Sequence, residues 1–112
     1  MKKIIIILSI LLNLTSTAKE SLFLQGNEAY ANENYSTAIS CYDSIRSNGI
    51  ESSELFYNLG NCYYKTQNWA NAIWNYEKAL KLNPNNQNAS YNLELTKIKT
   101  IDQIEALPDL FY

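Results

Sequence analysis

Histidine is missing from all 112 residues. With it go the commonest general base, the commonest metal ligand and the side chain that changes charge near neutral pH. Cysteine is almost missing: Cys41 and Cys62 are the only thiols, and they form no CxxC pair. Without an adjacent base or an activating partner neither reads as a nucleophile. Buried, unreactive thiols are the commoner state at such positions, and a disulfide between the two is the alternative open to an exported chain. Positive charge is not in excess. The formal net charge is −2, so general attraction to nucleic acid is excluded. Fifteen asparagines occur without an acidic loop of calcium-site spacing. Glu51 and Glu54 sit where helices start, and the helix dipole accounts for them there. No cofactor, no metal and no catalytic residue is expected, and the chain reads as a non-enzyme.

Glycine and proline are also scarce, at three and two residues. Few breakers and 46% hydrophobic residues point to a helical, globular chain with room for one small domain. The apolar residues cluster first at the N-terminus. Lys2 and Lys3 precede a run from Ile4 to Leu12 interrupted only by Ser9, and Thr15-Ser16-Thr17-Ala18 follows. This order is that of a secretory signal peptide over residues 1–18, with Ser16 and Ala18 at the −3 and −1 positions of the cleavage site. A buried N-terminal helix and an uncleaved anchor are the competing readings, although the run is shorter than the 18 or so residues a comfortable span needs. Removing Lys2 and Lys3 leaves seven basic against eleven acidic residues, a mature charge of −4.

The best-formed stretch is residues 53–86. Small residues at Gly60, Ala72 and Ala79 alternate with Phe56, Leu59, Tyr63, Trp69, Tyr76 and Leu80, as two closely packed antiparallel helices require. The pattern predicts helices over Ser53–Thr66 and Trp69–Leu82, with Pro84 just past the end. A weaker copy occupies residues 19–50, displaced by 34: Gly26-Asn27 aligns with Gly60-Asn61, Tyr30 with Tyr64, Asn34-Tyr35 with Asn68-Trp69, Ala38-Ile39 with Ala72-Ile73, and Tyr42 with Tyr76. Its helices are expected over Glu20–Asn32 and Tyr35–Ser47, the second ended by Asn48-Gly49. Ser52 or Ser53 is the expected cap of the helix after it. A fifth helix is expected over Gln87–Ile101. Its Tyr91-Asn92-Leu93 repeats Tyr57-Asn58-Leu59, but Glu94 stands in the glycine slot, so residues 87–101 read as a cap on the stack. Residues 102–112 hold Ile104, Leu107, Leu110, Phe111 and Tyr112 and are expected to form an apolar tail.

Helical pairs recurring every 34 residues resemble the tetratricopeptide repeat (TPR). Phe56, Leu59, Gly60, Tyr63, Ala72, Tyr76, Ala79 and Pro84 fill the signature slots of the second unit, with Phe where Trp is usual. In the first unit the same slots read Leu22, Gln25, Gly26, Ala29, Ala38, Tyr42, Ile45 and Ile50, of which about half depart from the pattern. The resemblance implies an all-α helix-turn-helix solenoid of two repeats plus a C-terminal capping helix. A narrower likeness lies towards the C-terminus, in Asp102, Ile104, Glu105, Leu107 and Pro108 after the second repeat. That segment resembles the BatE family of TPR proteins, encoded with the Bacteroides aerotolerance (Bat) operon. The likeness covers residues 53–112 well and the first repeat loosely. It implies an exported bacterial protein, periplasmic or membrane-associated, working as a scaffold in a stress or aerotolerance complex.

In a TPR superhelix the first helix of each pair lines the concave face. The resemblance thus implies a partner-binding set of Phe23, Asn27 and Tyr30 from the first unit. Tyr57, Asn58, Asn61, Tyr64 and Lys65 come from the second, and Tyr91 and Asn92 from the cap. Amides can bond an extended peptide backbone and tyrosine faces can hold apolar side chains, so a protein or extended peptide is the expected partner. The competing reading is that Asn27 and Asn61 bridge helices and that Tyr30 and Tyr64 complete the core. A chaperone-type carboxylate clamp is not expected: Asn27 and Asn58 match its asparagines, but Phe23, Asn88 and Asn92 stand where cations are needed. The alternative functions are a self-associating structural module, weakly held through its exposed edges, and a general envelope-assembly adaptor.

Overall fold

The structure is a computed structural model, and it describes residues 2–105, with side chains from Thr17 onward. Five α-helices follow one another: α1 (Lys2–Ala31), α2 (Tyr35–Ser47), α3 (Ser53–Lys65), α4 (Trp69–Leu82) and α5 (Gln87–Glu105). Among the described residues there is no strand, and the architecture is an all-α TPR-type helical repeat. The chain divides into two compact units, one ending at Ile50 and one beginning at Glu51.

Local chemistry sets most helix ends. Asn34 opens α2 by accepting the Thr37 amide at 3.4 Å, and Ser52 opens α3 by accepting the Leu55 amide at 3.1 Å. After α2 the chain turns through Gly49 at φ 81°, a left-handed residue where glycine costs least. The turns inside the two helical pairs are built alike without glycine. Glu33 and Gln67 take φ 61° and 60°, and the amides of Asn34 and Asn68 reach back to the carbonyls of Ala29 and Tyr63 at 2.8 and 2.9 Å. Each closes its helix in a Schellman motif.

Two boundaries differ from the sequence expectation by more than one residue. The first helix begins at Lys2 rather than Glu20. No proline or glycine precedes Gly26, and Asn13 and Thr15-Ser16-Thr17 are weak helix formers rather than breakers. The fifth helix runs past Ile101 to Glu105, so residues 102–105 belong to it and not to a tail. Residues 106–112, with the rest of the expected apolar tail, lie outside the described residues, as do the side chains of the apolar run Ile4–Leu12. Among the described residues no helix is long and apolar enough to cross a membrane.

In the first unit α1 packs on α2 through Gly26, Ala29, Ala38, Tyr42 and Ile45. In the second, α3 and α4 bury Leu55, Phe56, Leu59, Cys62, Ala72, Tyr76 and Ala79 to 1% exposure or less. Helix α5 then covers them with Ala89, Leu93 and Thr96. Both tyrosines lie against the glycine of the preceding helix. A β-carbon at Gly26 would come within 2.6 Å of the Tyr42 ring, and one at Gly60 within 2.6 Å of Tyr76. Close approach is what demands glycine at these two positions. Ser53 completes the second unit: its hydroxyl donates to the Ala79 carbonyl at 2.8 Å and accepts from Asn86 Nδ2 at 2.8 Å. Asn86 Oδ1 in turn accepts the Ala89 amide at 3.1 Å, tying the starts of α3 and α5 to the end of α4.

Candidate partner-binding face

The second unit gathers the larger share of the expected contact residues. Tyr76 sits in the core with its hydroxyl donating to Asn61 Oδ1 at 2.6 Å. Asn92 of α5 donates from Nδ2 to the same oxygen at 3.0 Å, and this nitrogen lies 3.5 Å from the Tyr57 hydroxyl. Asn61 therefore receives two donors on one oxygen. With the oxygen filled in this way, Nδ2 keeps its two hydrogens without a partner among the described residues. Tyr57 leans on Tyr76 with ring centroids 6.1 Å apart, and Tyr64 meets Trp69 edge-on at 5.3 Å. Lys65 is exposed, and Tyr91 is 67% exposed. Asn58 is half-buried, and no hydrogen bond among the described residues joins it to the Asn61 network.

The first unit repeats this arrangement at the 34-residue offset. The Tyr42 hydroxyl donates to Asn27 Oδ1 at 2.5 Å, Phe23 stands 6.0 Å from Tyr42, and Tyr30 meets Tyr35 edge-on at 5.4 Å. Asn27 is exposed; Phe23 and Tyr30 are half-buried. The bridging reading of these asparagines holds at their oxygens. The oxygens of Asn27 and Asn61 bridge to the buried tyrosine, and their nitrogens remain to donate outward. The tyrosine hydroxyls that orient the amides were missed from sequence, although the fifteen-residue Asn–Tyr spacing recurs in both copies. Trp69 and Tyr35, which brace Tyr64 and Tyr30, were seen only as packing or alignment positions.

Other features lie apart from this face. Described clefts of about 340, 250 and 400 Å³ are lined respectively by Ala18, Leu22, Ile45 and Ile50, by Trp74 and Lys78, and by Trp69, Ile73 and Thr100. None contains an expected contact residue. Cys62 is buried, Cys41 is half-buried, and both are free thiols.

The model of the tetratricopeptide repeat matches residues 53–86. The helical pair α3–α4 is a tetratricopeptide repeat. The chain is also 41% identical over 61 residues to a Drosophila melanogaster protein described as a BBSome complex member BBS4 homolog. That alignment covers 54% of this chain and 13% of the relative. A second relative is sperm-associated antigen 1 of Rattus norvegicus, 31% identical over 78 residues, covering 70% of this chain and 9% of that protein. The chain therefore spans only about a tenth of the length of these relatives. Repeats of this family are protein–protein interaction scaffolds built from packing residues, with no catalytic group of their own.

Proposed function

We propose that this chain is an exported, non-enzymatic scaffold that holds an extended peptide segment of a partner protein on the Asn61 face of its second unit. The observation that carries the reading is the orientation of the Asn61 amide. Its oxygen is filled by Tyr76 and Asn92, so its nitrogen is presented as a fixed donor for a backbone carbonyl. Tyr57, tied to the same network through Asn92 and Tyr76, offers aromatic surface for the partner's apolar side chains, and Tyr91 and Lys65 are exposed on α5 and α3. The order Lys2-Lys3, Ile4–Leu12, Ser16 and Ala18 supports export, and Asp102, Ile104 and Glu105 support a place in a Bat-type stress complex at the bacterial envelope.

The discriminating variant is Asn61→Asp. A carboxylate still accepts from Tyr76 and Asn92 but has no donor to offer, so stability is retained while partner capture falls at least tenfold. Tyr57→Ala should act in the same direction. Capture from an envelope extract that is indifferent to both substitutions would remove the proposal. Intact mass of the envelope-associated protein tests the export reading separately, with Lys19 expected as the first residue.

A further inference from the structure

Among the described residues α5 has no following helix packed on it as α3 has α4. In the preceding pair the Gly60 side of α3 receives α4, through the Tyr76 ring against Gly60. The residue 34 positions later is Glu94, whose side chain is exposed. Further along the same helix Ile98, Ile101 and Ile104 stand one per turn, 54%, 54% and 62% exposed. Three isoleucines left on successive turns make a continuous apolar strip. The residues beside it are charged with a polarity: Lys97 and Lys99 towards one end, Asp102 and Glu105 towards the other.

We infer that this strip is an isologous interface for a second copy of the chain, with the two α5 helices packed antiparallel about a two-fold axis at Ile101. In that register Ile101 meets its own counterpart and Ile98 meets Ile104 of the copy. Lys97 falls opposite Glu105 of the copy, twice by symmetry. A parallel arrangement would instead set Lys97 against Lys97 and Glu105 against Glu105, so the charges choose the antiparallel one. Lys97 Nζ lies 3.3 Å from Glu94 within its own helix, but both side chains are exposed and such a pair is cheaply rearranged. Three isoleucines a side are fewer than a standard-size interface buries, so the dimer is a weak one that forms at high local concentration. The strip and the Asn61 face use different residues, so this inference stands apart from the peptide-binding proposal.

Sedimentation equilibrium of the full chain over a wide concentration range tests it. The wild type should show reversible dimer formation, and Ile101→Glu should weaken it at least tenfold. Lys97→Glu and Glu105→Lys should each weaken it as well. An equimolar mixture of those two variants should recover association as a heterodimer, since every facing pair is then of opposite charge. These exposed sites leave the core untouched, so the mixture also guards against a folding defect in Ile101→Glu. Under mild oxidation Ile101→Cys should cross-link to its own counterpart. Ile98→Cys alone should not, and Ile98→Cys with Ile104→Cys should. A chain that stays monomeric throughout, or a dimer indifferent to Ile101→Glu and to the charge reversals, overturns the inference. So does a monomer that dimerises only when residues 106–112 are removed, because the strip would then be covered by its own chain.

Discussion

The two helical pairs make the same four contacts at a 34-residue offset, yet they surround themselves with different amounts of core. Gly26 with Tyr42, Asn27 with Tyr42, Phe23 with Tyr42 and Tyr30 with Tyr35 are answered by Gly60 with Tyr76, Asn61 with Tyr76, Tyr57 with Tyr76 and Tyr64 with Trp69. Around that common set the α3–α4 pair buries Leu55, Phe56, Leu59 and Cys62 from its first helix, whereas the described part of α1 buries only Gly26 and Ala29. What defines the repeat here is a pinned tyrosine against a glycine. The large aliphatic positions add stability without being needed for the geometry. This explains why half of the signature slots can change in the first unit while the turn, the ring pairs and the amide–hydroxyl bond all remain.

The comparison can be broken where the pairs differ and sharpened where they agree. Both tryptophans are in α4, so their fluorescence follows the second unit, while far-UV circular dichroism follows both. The largest difference should come from Leu59→Ala, which empties a buried site and should cost about 2–5 kcal/mol in urea unfolding read by tryptophan fluorescence. Its counterpart Gln25→Ala, on an exposed residue, should change stability by no more than about 0.5 kcal/mol. A large effect at Gln25 would mean that the first unit holds its helices by different contacts.

Gly60→Ala and Gly26→Ala should instead behave alike. Alanine gains roughly 1 kcal/mol of helix propensity over glycine, but the added carbon meets a tyrosine ring held at its far end by an asparagine. The ring cannot withdraw without giving up that hydrogen bond, so a net loss of about 1–3 kcal/mol is expected at both sites. Stabilisation at either one would show that its tyrosine is free to move.

Asn75 offers a smaller effect of opposite sign. It is 4% exposed, its Nδ2 donates to the Asn71 carbonyl at 2.8 Å, and its Oδ1 has no partner among the described residues. The first unit has Cys41 at this position. Copying that residue into the second, Asn75→Cys, removes the orphaned acceptor and should stabilise by about 1 kcal/mol. The smallest change should come from Gln67→Gly and Glu33→Gly, which relieve a left-handed side-chain residue at equivalent turns. Each should gain about 0.5 kcal/mol in denaturant unfolding, less than the bare αL penalty because glycine loses more freedom on folding.

Most helix boundaries could be read from the chain because single residues impose them. Asn34, Ser52, Gly49 and Pro84 act through their own backbone or side-chain chemistry, and such effects do not depend on distant partners. The left-handed turns at Glu33 and Gln67 could not be read, since neither is a residue that favours positive φ; helix packing on both sides holds them there. Ser53 was equally opaque. Beside Ser52 it looks like a second candidate cap, and only the return of α4 and the start of α5 give it Ala79 and Asn86 as partners.

By itself, the sequence determined the period of 34 and the all-α class, because repeat spacing and helical patterning are properties of the chain. It also set which asparagines and tyrosines recur at that offset. Tertiary structure decided how the Asn61 amide is bonded. Asn61 presents a donor rather than an acceptor because Tyr76 and Asn92, fifteen and thirty-one residues away, both reach its oxygen. Side-chain orientation of that kind is fixed by hydrogen bonds between helices, and those exist only once the helices have packed.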